Sequence, residues 1–113
     1  MSAALPLLPG PSAAECCAPS AGEDPALDAD RIAAVAKALG DPLRVRILDV
    51  VRRSDEPVCQ CELIALFEIR QSLLSHHIKR LVDAGLLEVE RRHRWAYYSA
   101  SSETLKELTS WLS

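Results

Sequence analysis

The stretch QSLLSHHIKRLVDAGLLEVERRHRWAYY, residues 71–98, decides the fold. Its first half places Leu74, Ile78, Leu81 and Val82 at i, i+4, i+7 and i+8, one face of an α-helix from about Gln71 to Ala84, and Gly85 supplies the left-handed residue that stops it. Its second half changes period. Leu86-Leu87-Glu88-Val89 and Trp95-Ala96-Tyr97-Tyr98 are rich in β-formers and are joined by the polar segment Glu90 to Arg94, which predicts a two-stranded hairpin. Upstream, Pro57 opens a short helix whose apolar face is Leu63, Ile64, Leu66 and Phe67, with Cys59 and Cys61 in or just before its first turn. Two helices a few residues apart, followed by a hairpin, read as a winged helix-turn-helix.

Working outward, Ile32, Val35, Ala36 and Leu39 form a helical stripe capped by Asp28 or Asp30 and stopped by Gly40. Asp41-Pro42 begins a second helix carrying Leu43, Ile47, Val50 and Val51, which ends in the charged turn Arg52 to Glu56. A last helix, capped by Ser101 or Ser102, carries Leu105, Leu108, Trp111 and Leu112. The expected fold is therefore mainly α, with five helices and a two-stranded wing, over residues 28–113. Residues 1–27 hold five of the seven prolines and no basic side chain, and read as a flexible acidic arm. With 113 residues the chain has room for one small domain.

No run approaches the roughly 18 to 20 apolar residues of a membrane helix. The stretch Ala3 to Leu8 is short and broken by Pro6, and Glu15 stands where a lipoprotein signal wants a small residue before Cys16. The expected setting is the cytoplasm, with no membrane partner and with reduced thiols.

A net charge of -3 gives no basic signature to the whole chain, so nucleic-acid binding has to come from a local patch. One exists. Between Arg70 and Arg94 stand six basic residues against Asp83, Glu88 and Glu90. Six such residues on a solvated surface would be ordinary, but here they lie on a reading helix and a hairpin tip. Gln71, Ser72, Ser75, His76 and Lys79, opposite the apolar stripe, offer short donors and acceptors suited to base edges. Arg70, Arg91, Arg92 and Arg94 suit phosphates or the minor groove. His77 is expected to pack beneath the helix.

The four cysteines fall in two tight pairs. Cys16 and Cys17 lie in an arm with no core to bury them, and Cys59 and Cys61 stand at a helix start, where the macrodipole is expected to lower thiol pKa and favour the thiolates that soft metals take. Side chains at i and i+2 of a regular helix point to nearly opposite sides, so these two share one ion only if the first turn is distorted or not yet helical. No serine–histidine–aspartate or paired-carboxylate arrangement suggests an enzyme, and a thiol oxidoreductase would want C-x-x-C on a βαβ scaffold. A purely dimerising module would not need the composition of the reading helix.

The runs Lys37 to Leu48, Val58-Cys59-Gln60-Cys61-Glu62-Leu63, Gln71-Ser72 with Ser75 to Leu81, and Ala84-Gly85-Leu86 with Arg94 to Tyr98 together resemble the ArsR/SmtB family of metal-responsive repressors, over about residues 30–113. The resemblance implies a homodimer paired through its first and last helices, with Ile32, Val35, Leu39, Leu105, Leu108, Trp111 and Leu112 as the interface. It also implies a palindromic double-stranded operator, released when an ion binds. Two positions depart from the pattern. Arg70 replaces a serine able to cap the reading helix, and His93 replaces a wing glycine, which predicts positive φ or a wider tip.

The box Val58 to Leu63 is similar to the family's metal-binding box, but Ile64 stands where arsenite sensors often carry a third cysteine. The arm can supply it, as in members with an N-terminal cysteine pair. Three thiolates suit As(III) or Sb(III), whereas all four of Cys16, Cys17, Cys59 and Cys61 would suit Cd(II), Pb(II) or Zn(II). As(III) is the expected inducer, because adjacent cysteines diverge and fit a pyramid with one spare thiol better than a closed tetrahedron. A thiol-redox sensor on the same fold is the rival. The last helix has Glu103 and Glu107 but no histidine, so the zinc site some members build there is not expected.

Overall fold

The structure is a computed structural model that describes residues 21–113. Most of the expected arm, with Cys16 and Cys17, lies outside the described residues. Five helices and three strands follow: α1 (Ala29–Ala38), α2 (Pro42–Arg53), β1 (Val58–Cys59), α3 (Gln60–Phe67), α4 (Gln71–Asp83), β2 (Leu87–Arg92), β3 (Trp95–Ala100) and α5 (Ser102–Leu112). Among the described residues, no helix is long and apolar enough to cross a membrane.

Local chemistry sets the helix ends. The Asp28 carboxylate accepts from the Arg31 amide at 3.1 Å, and Asp41 accepts from the amides of Leu43 and Arg44 at 2.8 and 3.4 Å. Partial burial works against the Asp41 carboxylate, but these amides and the neighbouring His77 and Arg44 bring it below its ordinary range. Ser101 caps α5 through the Thr104 amide. At the end of α4, Gly85 has φ +78, its amide reaches the Val82 carbonyl and the Leu86 amide reaches the Leu81 carbonyl, both at 2.9 Å. Those two bonds define a Schellman turn, which swings the chain directly into β2.

The sheet departs from the sequence reading. It is antiparallel with order β1-β3-β2, so the wing has a third, two-residue strand that pairs Val58 with Tyr98 and Cys59 with Tyr97. The third helix consequently starts at Gln60 rather than at Pro57. The strands of the wing run longer than their β-forming residues suggest, and His93-Arg94 alone forms the turn between paired Arg92 and Trp95. His93 takes φ +58, the positive value expected at its position.

The core lies where α2, α3, α4 and the sheet converge, around Ile47, Leu63, Leu74, Leu81 and Leu86, all fully buried. Each such side chain contributes about 1.5–3 kcal/mol by leaving water. Leu66, expected on the apolar face of α3, is exposed, and Ala36 of α1 likewise gives its inward place to Ala38.

Candidate nucleic-acid and thiolate sites

Helix α4 divides cleanly. Leu74, His77, Ile78 and Leu81 are buried, whereas Gln71, Ser72, Ser75, His76 and Lys79 are exposed, as is the uncapped Arg70 that precedes them. Gln60 of α3 donates its side-chain amide to the Ser75 hydroxyl at 3.2 Å. Lys79 pairs with Asp83 at 3.2 Å, an exposed i,i+4 contact that costs little to break. Buried His77 presents Nδ1 to the Arg44 guanidinium at 3.3 Å. A guanidinium can only donate, so Nδ1 is the acceptor in this contact.

Strand register separates Arg91 from Arg92, and Arg94 sits in the turn. Leu87, Val89 and Arg91 share the inner face with Ala100, Tyr98 and Ala96, while Glu88, Glu90 and Arg92 share the outer face with Ser99, Tyr97 and Trp95. Arg92 forms two bonds to Glu90, at 2.9 and 3.1 Å, and lies over the Tyr97 ring at 4.8 Å. Those bonds hold the Glu90 carboxyl below its usual range and raise Arg92. Arg92 is thus already engaged, whereas Arg91 and Arg94 have no carboxylate partner among the described residues. Trp95, whose residue type alone predicts only a strand, is 48% exposed beside them, and a place at a hairpin tip next to arginines is the signal in the sequence for such a role.

The two described cysteines meet. Cys59 is extended, with ψ 143, because it belongs to β1 and only caps α3, so its sulfur lies 2.9 Å from that of Cys61 in the first helical turn. No distortion of a helix is needed, since the first residue of the pair is not helical. Cys59 is buried and Cys61 exposed. Contrary to the expected dipole effect, the Cys61 thiol is raised: the Cys59 thiol, partial burial and nearby negative charge outweigh the amide of Glu62. Two thiolates on a tetrahedral zinc would stand about 3.8 Å apart at a Zn–S distance of about 2.3 Å, so this pair reaches a soft ion by opening less than about 1 Å. It is half a site. Among the described residues no group of three or more His, Cys, Asp or Glu side chains is placed to hold an ion, and the remaining sulfur donors, Cys16 and Cys17, lie outside them.

On α5, Glu107 is not simply solvated, since it binds Arg31 of α1 at 2.6 Å, while Arg31 also donates to Thr104 at 3.1 Å. Trp111 and Leu112 are exposed, and Leu39, Leu105 and Leu108 lie half-buried against the core. Ile32 is nearly covered and Val35 is 1% exposed, so Val35 belongs to its own protomer's core and has no surface to offer a partner.

Residues 41–89 match the bacterial regulatory protein family arsR. The chain is 39% identical over 75 residues to the arsenical resistance operon repressor of Bacillus subtilis strain 168, covering 66% of this chain and 70% of that protein. It is 32% identical over 77 residues to a cadmium resistance transcriptional regulatory protein, a CadC homolog of Staphylococcus aureus, covering 68% and 63% respectively. In fold it is similar to the homodimeric winged helix-turn-helix DNA-binding domain of Mb0332 from Mycobacterium bovis, with a TM-score of 0.64 at 24% identity over 74% of this chain and 76% of that one.

Proposed function

The chain belongs to the arsR family of DNA-binding transcriptional regulators, and from that premise we propose that it is a homodimeric repressor that binds a palindromic operator in the cytoplasm and releases it when As(III) binds its cysteines. The observation that carries this reading is the 2.9 Å pairing of Cys59 and Cys61 at the point where wing strand and helix-turn-helix meet. Cys16 or Cys17 supplies the third sulfur.

The junction suits a switch. Cys59 pairs with Tyr97, whose ring lies under Arg92, and Gln60, between the cysteines, holds Ser75 of the reading face. An ion that draws the arm onto the pair therefore acts on wing and reading helix together, and favours the state in which they dock poorly. By reciprocity, operator DNA weakens ion binding by the same factor. The reading of DNA rests on Gln71, Ser72, Ser75 and His76 toward bases, and on Arg70, Lys79, Arg91, Arg92 and Arg94 toward backbone.

A divalent soft ion is the second reading, favoured by the likeness to a cadmium resistance regulator and by the total of four cysteines. Proton release separates them. Arsenous acid condenses with three thiols to give three As–S bonds and three waters, with no net proton, whereas Cd(II) displaces one proton from each protonated thiol it takes. The raised Cys61 thiol carries its proton at neutral pH. Titration in weak buffer should show thiolate charge-transfer absorbance with arsenite and almost no acidification. Absorbance that grows only with Cd(II), Pb(II) or Zn(II), together with acid release, would transfer the assignment to a divalent ion.

A further inference from the structure

We infer that a cleft beside α4, lined by Lys37, Arg44, His76 and Arg80, grips a phosphate of the DNA backbone, a contact additional to those of Gln71, Ser72 and Ser75 and of the wing. The inference rests on the DNA-binding reading above. The cleft has a volume of about 460 Å³ and is built by α1, α2 and α4, so its charges come from three elements.

Arg44 is half-buried there and fixed: its Nε donates to the Ala38 carbonyl at 2.6 Å and another of its nitrogens to His77 at 3.3 Å. A guanidinium carries five N–H donors, so most remain for a ligand. Among the described residues no carboxylate stands within 4.0 Å of Lys37, Arg44 or Arg80. The acid at the rim, Asp83, is held by Lys79, and nearby Asp41 is committed to backbone amides. A half-buried, immobilised guanidinium with no carboxylate within 4.0 Å and two more cations at its mouth is built for an anion.

The location selects which anion. His76 belongs both to the cleft wall and to the exposed face of α4, so whatever fills the cleft lies along the edge of what α4 reads. The edges of a major groove are rows of phosphates. Lys37 and Arg80 are exposed, whereas Arg44 is half-buried.

The test uses the full chain with Lys37→Ala and Arg80→Ala combined, leaving Arg44 in place because it braces the α1–α2 junction. Binding to a random-sequence duplex is followed from about 50 to 200 mM salt. The expected result is an unchanged melting temperature and a slope of log affinity against log salt flatter by up to about 0.9, since Arg44 alone retains only part of the phosphate contact. Inorganic phosphate at constant ionic strength should leave the wild-type affinity unaltered. An unchanged slope in the double variant overturns the inference, and so does competition by inorganic phosphate that the variant abolishes, which would make the cleft a free-anion site. Wild-type protein that fails to bind any duplex would instead sink the DNA-binding reading itself.

Discussion

Gln60 donates its side-chain amide to the Ser75 hydroxyl across 3.2 Å, and thereby joins the residue between the two described cysteines to the exposed face of α4. An ion bound on either side of Gln60 cannot leave this bond indifferent. Gln60→Ala should keep DNA affinity within a few-fold of wild type but reduce the factor by which arsenite weakens it. The check is operator binding by fluorescence anisotropy with and without arsenite. An undiminished factor would show that the signal travels by β1 and the wing alone.

A truncation tests the third sulfur. Deleting residues 1–20 takes away Cys16 and Cys17 and no side chain assigned to DNA. The shortened protein should bind operator as wild type does and respond poorly to arsenite, because two sulfurs do not complete a three-sulfur site. Release at the wild-type arsenite concentration would show that Cys59 and Cys61 suffice.

Wing and reading helix should fail differently. Arg94 has no carboxylate partner among the described residues, so Arg94→Ala should weaken binding to all sequences and flatten the salt slope by about 0.9. Ser75→Ala should instead change base preference, with the salt slope intact, as read by selection from a randomised duplex pool. Arg92 is tied to Glu90 and Tyr97, so its removal should cost less than that of Arg94.

Trp111 is half-exposed at the end of α5 and is the large aromatic available to anchor a partner. Trp111→Ala should weaken a dimer by at least about 2 kcal/mol, measured by sedimentation equilibrium across a dilution series. An undisturbed dimer at low concentration would place the interface elsewhere.

Much of this was legible in the sequence because helices announce themselves by period and by their ends: Asp28, Asp41, Ser101 and Gly85 all act where their chemistry places them. The positive φ of His93 was one of two outcomes implied by the glycine that the resemblance sets there, because the polar segment Glu90 to Arg94 does not reveal a two-residue turn. The strand β1 was not legible, because two residues carry no period and Val58-Cys59 pairs only with a segment some forty positions away. The sulfur geometry depended on that strand, so it was hidden too. Val35 shows the other limit: a stripe tells which side of α1 is apolar, not whether that side meets the same chain or another. The basic cleft draws on residues from three helices, and no local motif could reveal it.

The bond between Arg31 and Glu107 has a consequence for operator geometry. Arg31 links α1 to α5, and its guanidinium also approaches the place where a side chain at Gly85 would sit, at the turn that ends α4. The two helices proposed to meet a partner are therefore tied to each other, beside the turn that ends the reading helix, before any partner arrives. In the proposed dimer that tie would act as a caliper, since it leaves less ordering of α1 and α5 to be done on association. Half-sites about one turn of DNA apart would be measured as well as read. Inserting a few base pairs between them should be tolerated less than changing a base within one.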